Sequence, residues 1–163
     1  MRFLADAMLG KLAKWLRVMG HDCHYQSAYW PKELEGLLEQ DRLLLTRHRV
    51  SFERYAKQAV FIGSDHVALQ LQELKRAGQL VAAETAWFSR CLVCNMLLEK
   101  AAPEAARESV PEYVLLAAVN GFSFCPGCRR FFWSGSHRRA MVKQLREWGF
   151  DLKSANLSSK DHP

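Results

Sequence analysis

Apolar positions change period repeatedly along the first half of the chain. Arg2 to Ala5 reads as a short strand. From Met8 to Met19, the residues Met8, Leu9, Leu12, Trp15, Leu16 and Met19 recur every three or four positions, the spacing of one helical face. Lys11, Lys14 and Arg17 fall away from that stripe, and Gly20 follows as a helix stop. A second strand is expected around Cys23 to Gln26. Pro31 suits the first turn of a helix that Glu33 to Gln40 continues. Leu43, Leu44, Leu45 and Thr46 form an unbroken apolar run, the pattern of a strand covered on both faces. A short helix over Phe52 to Lys57, a strand over Ala59 to Ile62 and a helix marked by Val67, Leu71 and Leu74 complete the series near Gly78. Strands alternating with helices predict an α/β layer structure with a mostly parallel sheet.

The pattern fades from Val81 to Arg90 and does not return in the same form. Pro103 to Pro111 is polar, an expected insertion or loop with helical character, and Phe122 to Phe124 and Phe131 to Trp133 read as aromatic strands. Ser136 to Trp148 reads as a terminal helix, with Ser136 as candidate N-cap and Met141, Leu145 and Trp148 as its apolar stripe. Frayed chain is expected from Lys153 onward. The resulting division is 1–80 for the α/β domain, 81–90 for a connection, 91–150 for a small module with its C-terminal helix, and 151–163 for a tail. No apolar run reaches the roughly 18 residues of a membrane span. The first twenty residues carry Asp6, Lys11, Lys14 and Arg17 and no small-residue cleavage site, so they are expected to open the fold of a cytoplasmic protein.

Composition excludes wholesale disorder, since 49% of residues are hydrophobic and 25% charged. Lys and Arg number 23 against 17 Asp and Glu, a formal net charge of +6 that favours polyanionic partners. Much of the excess is local: Arg129, Arg130, Arg138, Arg139, Lys143 and Arg146 fall in a stretch without Asp or Glu. That stretch reads either as a nucleic-acid contact or as a solvated helix face.

The cysteines carry the strongest chemical signal. Cys91 and Cys94 form one C-x2-C pair, Cys125 and Cys128 a second. Each short turn aims two sulfurs at one point, and two such knuckles close a tetrahedral shell around Zn2+. Two pairs in a chain without a secretory signal favour metal over disulfide or redox chemistry. Gly127 is expected to relax the second knuckle, and Asn95 stands where a residue with positive φ is useful. Cys23, between His21 and His24, reads as a buried strand cysteine in preference to a further metal ligand.

In open parallel sheets, sites collect beyond the carboxyl ends of the strands. Those ends carry Asp6, then Thr46-Arg47-His48, then Ser64-Asp65-His66. Asp6 and Asp65 can share a hard cation such as Mg2+ or Mn2+ that activates water against a phosphodiester, or each can simply cap the helix that follows. Asp22 and Asp41 read as turn residues. Phe131, Phe132 and Trp133 read more readily as the module's core than as base-stacking platforms, with Phe131 and Trp133 on one face.

The strings FLADAMLGKLAKWLRVMGHD, LLLTR, SRCLVCN and FCPGCRRFFWSGSHRRAM together resemble the Mut-seven C-terminal RNase domain, a PIN-like fold joined to a zinc ribbon, over residues 2 to 146. The resemblance implies a three-layer PIN-like domain with a mostly parallel sheet, followed by a small zinc ribbon and a terminal helix. It implies metal-dependent cleavage of RNA, with catalytic Asp6 and Asp65 at Mg2+ or Mn2+. It also implies structural Zn2+ on Cys91, Cys94, Cys125 and Cys128, and RNA contacts from Arg129, Arg130, His137, Arg138 and Arg139. The chain departs from the family pattern at His48, where an aspartate is usual, and near Tyr29-Trp30-Pro31, where a helix-opening aspartate is replaced; Glu33 or Glu35 is the candidate compensation. The alternative is a catalytically degenerate module that binds RNA or docks on a ribonucleoprotein, and a weaker one is a protein adaptor with purely structural zinc.

Overall fold

A computed structural model describes residues 1–80, 86–117 and 121–150. Part of the expected 81–90 connection and the whole 151–163 tail lie outside the described residues. The chain divides into two compact units, Met1–Asn95 and Met96–Pro163.

The first unit is built on four parallel strands, β1 (Arg2–Ala5), β2 (Asp22–Tyr25), β3 (Arg42–Thr46) and β4 (Ala59–Phe61), in the order β2-β1-β3-β4. Helices α1 (Gly10–Val18), α2 (Pro31–Leu38), α3 (Arg49–Arg54) and α4 (Val67–Arg76) connect or follow them. The path from β1 to β2 runs one way across the sheet and the path from β2 to β3 runs back. Right-handed crossovers therefore set α1 and α2 on opposite faces. Packing agrees: Leu4, Leu38 and Leu44 form one buried cluster with Leu34 and Leu37 of α2, while α1 packs on α4.

Helix α1 shows how the sequence sets these elements. Leu12 and Leu16 are fully buried, each contributing about 1.5–3 kcal/mol of apolar burial. Its C-terminus closes with Gly20 at φ 86°, where Gly20 N–H donates to Arg17 C=O and His21 N–H to Leu16 C=O. Two expectations fail here. Met8 is exposed, because Ala7–Leu9 forms a separate 3-10 turn ahead of the helix. Arg17 is buried, because three backbone carbonyls receive its guanidinium.

The second unit holds an antiparallel sheet of β5 (Glu99–Ala101), β6 (Phe122–Phe124) and β7 (Phe131–Trp133) in that order, with helices α5 (Pro103–Ala106), α6 (Glu112–Ala117) and α7 (Ser136–Glu147). Ala106, Val110, Val114 and Phe122 form its buried cluster, and Phe131 packs against it. Ser136 is the first helical residue of α7, not its cap. Gly135 occupies the cap position without a side-chain bond.

Candidate functional site

The point where the strand order reverses lies between β1 and β3, and Asp6 sits there. Its N–H donates to Leu45 C=O at 3.0 Å, extending the β1–β3 ladder by one residue. Its Oδ2 accepts from the Thr46 hydroxyl at 2.6 Å and from Arg47 N–H at 2.8 Å, while Oδ1 accepts from Met8 N–H at 2.9 Å. A carboxylate offers about four acceptor positions. Three are filled here, leaving capacity on Oδ1. The cap of the following turn is therefore real, and it coexists with a clamp across the two central strand ends.

Thr46 carries the clamp onward. It is fully buried, and its Oγ1 accepts from His48 N–H at 3.0 Å while its proton goes to Asp6. His48 caps α3: Nδ1 lies 3.4 Å from Ser51 N–H, which donates to it, and 3.0 Å from Ser51 Oγ.

Asp65 stands differently. It is exposed, and the His66 imidazole lies 3.7 Å from its Oδ1. It does not cap α4, whose cap position belongs to His66. Its loop is nevertheless fixed, because Gly63 N–H and Ser64 N–H both donate to the Glu73 carboxylate at 2.9 Å and Gln70 donates to Ser64 C=O. Glu33 accepts from the Gln26 amide at 2.7 Å. Nearby, Tyr29 donates to Ala5 C=O at 3.0 Å, and burial pushes its phenol up to about 12. This pins the start of α2 to the end of β1.

Among the described residues, Asp6, His48 and Asp65 join no group of three or more metal-ligating side chains; the cysteines do. Ligand atoms of Cys91, Cys94, Cys125 and Cys128 lie within 4.8 Å of one another. Tetrahedral Zn2+ with ~2.3 Å bonds separates its sulfurs by about 3.8 Å, so this group could bind a metal such as zinc after slight contraction. The two knuckles share one backbone form. Asn95 N–H donates to Cys91 C=O at 3.0 Å and Arg129 N–H to Cys125 C=O at 2.8 Å, and both residues are left-handed, at φ 70° and 57°. The positive φ of the second knuckle thus falls on Arg129 and not on Gly127. Cys23 is fully buried, and burial pushes its thiol up to about 12, which makes it an inert strand cysteine.

Asp22 corrects a further expectation. It opens β2 and is no turn residue: Arg42 meets it at 2.7 Å, Asn95 donates to it at 2.8 Å and Arg90 stands at 3.9 Å. Burial opposes its charge, but the bonds from Arg42 and Asn95 outweigh burial and hold its carboxyl below the usual range. Asp41 does occupy a turn, at φ 60°.

The Mut7-C RNAse domain family model matches residues 1–145. The chain belongs to that family. No curated protein and no solved structure matches it. The matched span of this Mut7-C chain includes the strand-end residues, both knuckles and most of α7. In α7, Met141 and Leu145 are buried, whereas Arg139, Lys143 and Arg146 recur on the opposite side at helical spacing. Arg129, Arg130, His137, Arg138 and Arg139 are all exposed. Arg138 folds back to the Ser134 hydroxyl at 2.8 Å. No helix among the described residues is long and apolar enough to cross a membrane.

Proposed function

We propose that this protein is a ribonuclease that hydrolyses RNA phosphodiesters with a divalent metal at the carboxyl ends of β1 and β3. In this reading the fold is PIN-like and the cysteine module, closed by structural zinc, presents basic side chains to RNA. The observation that supports it most is the fixed Asp6 carboxylate at the strand-order reversal of an RNase-family chain, with one acceptor position remaining on Oδ1.

The donor set suits Mg2+ or Mn2+ in a particular way. Mg2+ keeps several waters and takes one or two carboxylates together with substrate phosphates. Asp6 and Asp65 are the carboxylates that would hold such an ion. A bound ion would supply activation of water and neutralisation of developing charge. The chain's own part is to hold the Asp6 carboxylate immobile through Thr46 and Arg47. It also lays Arg129, Arg130, His137, Arg138 and Arg139 along the RNA backbone, where phosphate contacts position the substrate without reading its sequence.

A second reading, RNA binding without cleavage, is favoured by one observation: His48 stands where the family pattern has an aspartate and is committed to capping α3. Asp6→Asn separates the two. The amide can keep the bonds from Thr46 and Arg47 but loses its charge and the cap at Met8, so folding should weaken by only about 0.5–2 kcal/mol. Cleavage of labelled RNA should disappear while RNA retention persists. Wild-type protein that retains RNA but never cuts it establishes the second reading.

A further inference from the structure

Arg17 is 6% exposed, on the inner side of α1. A buried cation normally has an anion beside it, because the loss of hydration is otherwise uncompensated. Among the described residues no ion pair involves Arg17, and the neighbouring carboxylate, Asp22, is taken by Arg42 and Arg90. Instead its Nε donates to Cys23 C=O at 2.9 Å, and its Nη1 donates to Leu92 C=O at 3.2 Å and Val93 C=O at 2.9 Å.

Leu92 and Val93 are the two residues between Cys91 and Cys94. The peptide that joins them accepts from Arg17 at its oxygen and, through Val93 N–H, donates to Cys91 Sγ at 3.4 Å. Guanidinium, carbonyl, amide and sulfur thus form one hydrogen-bonded series, in which the cation polarises the peptide toward the sulfur. The next peptide, between Val93 and Cys94, is held by the same nitrogen. Asn95 completes the seat, since its Oδ1 accepts from Cys23 N–H at 3.1 Å and its Nδ2 donates to Asp22. A zinc ion held by four thiolates is anionic overall.

We infer that Arg17 is the counter-charge and positioning residue of the metal-binding thiolates, holding the Cys91–Cys94 knuckle in its ligating form through the Leu92 and Val93 carbonyls. This rests on the reading that the four cysteines hold zinc. It makes the first knuckle a part of the α/β unit in energetic terms. It also explains why a charged residue interrupts the inner side of α1.

The test compares full-length wild type, Arg17→Met and Arg17→Lys. Zinc content is measured by mass spectrometry, zinc affinity by chelator competition, and unfolding with and without zinc. Wild type should hold one zinc. Loss of a residue that orients metal ligands from behind lowers affinity by about 10–100-fold, which is the change expected for Arg17→Met. Arg17→Lys keeps the charge and should lose less. By linkage, the zinc-loaded form of Arg17→Met should be destabilised more than its zinc-free form. If Arg17→Met does not fold, Arg17→Lys decides, with any fall in zinc affinity as the expected result. Wild type that holds no zinc overturns the zinc reading and this inference with it. Wild type with zinc, beside a variant of unchanged affinity or equal destabilisation in both forms, overturns the inference alone.

Discussion

His21 shows what a single side chain can impose on this fold. Its ring packs edge-on against Phe3 at 5.5 Å, and its Nε2 is buried with no hydrogen-bond partner among the described residues. Burial lowers its pKa to about 4, with the charges of the N-terminus and Arg90 acting in the same direction. The folded protein therefore holds His21 neutral where the unfolded chain protonates it. Because the unfolded state binds more protons in that window, stability is intact above pH 6.5 and falls as pH drops toward 4, by about 3 kcal/mol in all. His21→Phe should keep the packing and flatten that slope. Urea midpoints of both proteins between pH 7 and 4.5 check it, and parallel slopes would refute the assignment. Arg17, His21 and Asp22 stand in one short stretch and all look like surface residues by type. Their burial was invisible to the apolar pattern because it depends on partners far along the chain, Leu92, Val93 and Asn95 among them.

Among elements, those with strong periodicity were legible. β1, α1, β3, α4 and α7 fall where their apolar spacing put them, and the strand-end positions of Asp6 and Thr46-Arg47-His48 followed from that alternation. What the pattern lacked was short structure stabilised from outside. β5 has three residues and an exposed face. α6 has six, and Val114 is its one residue in the unit's buried cluster, too little to set a helical period. Met8 leaves the apolar stripe because the chain turns through Ala7–Leu9 before α1 begins. At the end of α1, by contrast, the sequence was decisive: a Cβ on Gly20 would lie 2.3 Å from Ala86 C=O, in a conformation that costs other residues about 1–2 kcal/mol before any clash. Gly20→Ala should lower stability by more than that conformational cost. A thermal midpoint equal to wild type would show that the turn relaxes freely.

In the proposed function, Asp6 and Asp65 of the parallel-sheet unit serve cleavage and the exposed arginines of the cysteine module serve RNA binding. Family membership makes RNA the expected polyanion, and the +6 formal charge is consistent with it. Each phosphate contact on a single strand contributes about −0.7 to the slope of log affinity against log salt. Replacing Arg129, Arg130, Arg138 and Arg139 with Ala should weaken RNA binding and flatten that slope by up to about 3, read by fluorescence anisotropy across a salt series. Since Arg138 and Arg139 both donate to Ser134, their shares should be smaller than those of Arg129 and Arg130.

The most direct measurement is cleavage of labelled single-stranded and hairpin RNA by zinc-loaded protein in Mg2+, Mn2+ or EDTA, with Asp6→Asn in parallel. A metal-dependent ribonuclease should cut only with the added divalent ion and stop in EDTA, and Asp6→Asn protein should not cut while still folding and retaining RNA. Undiminished cutting by Asp6→Asn, or no cutting by wild type under any of these ions, would contradict the ribonuclease reading.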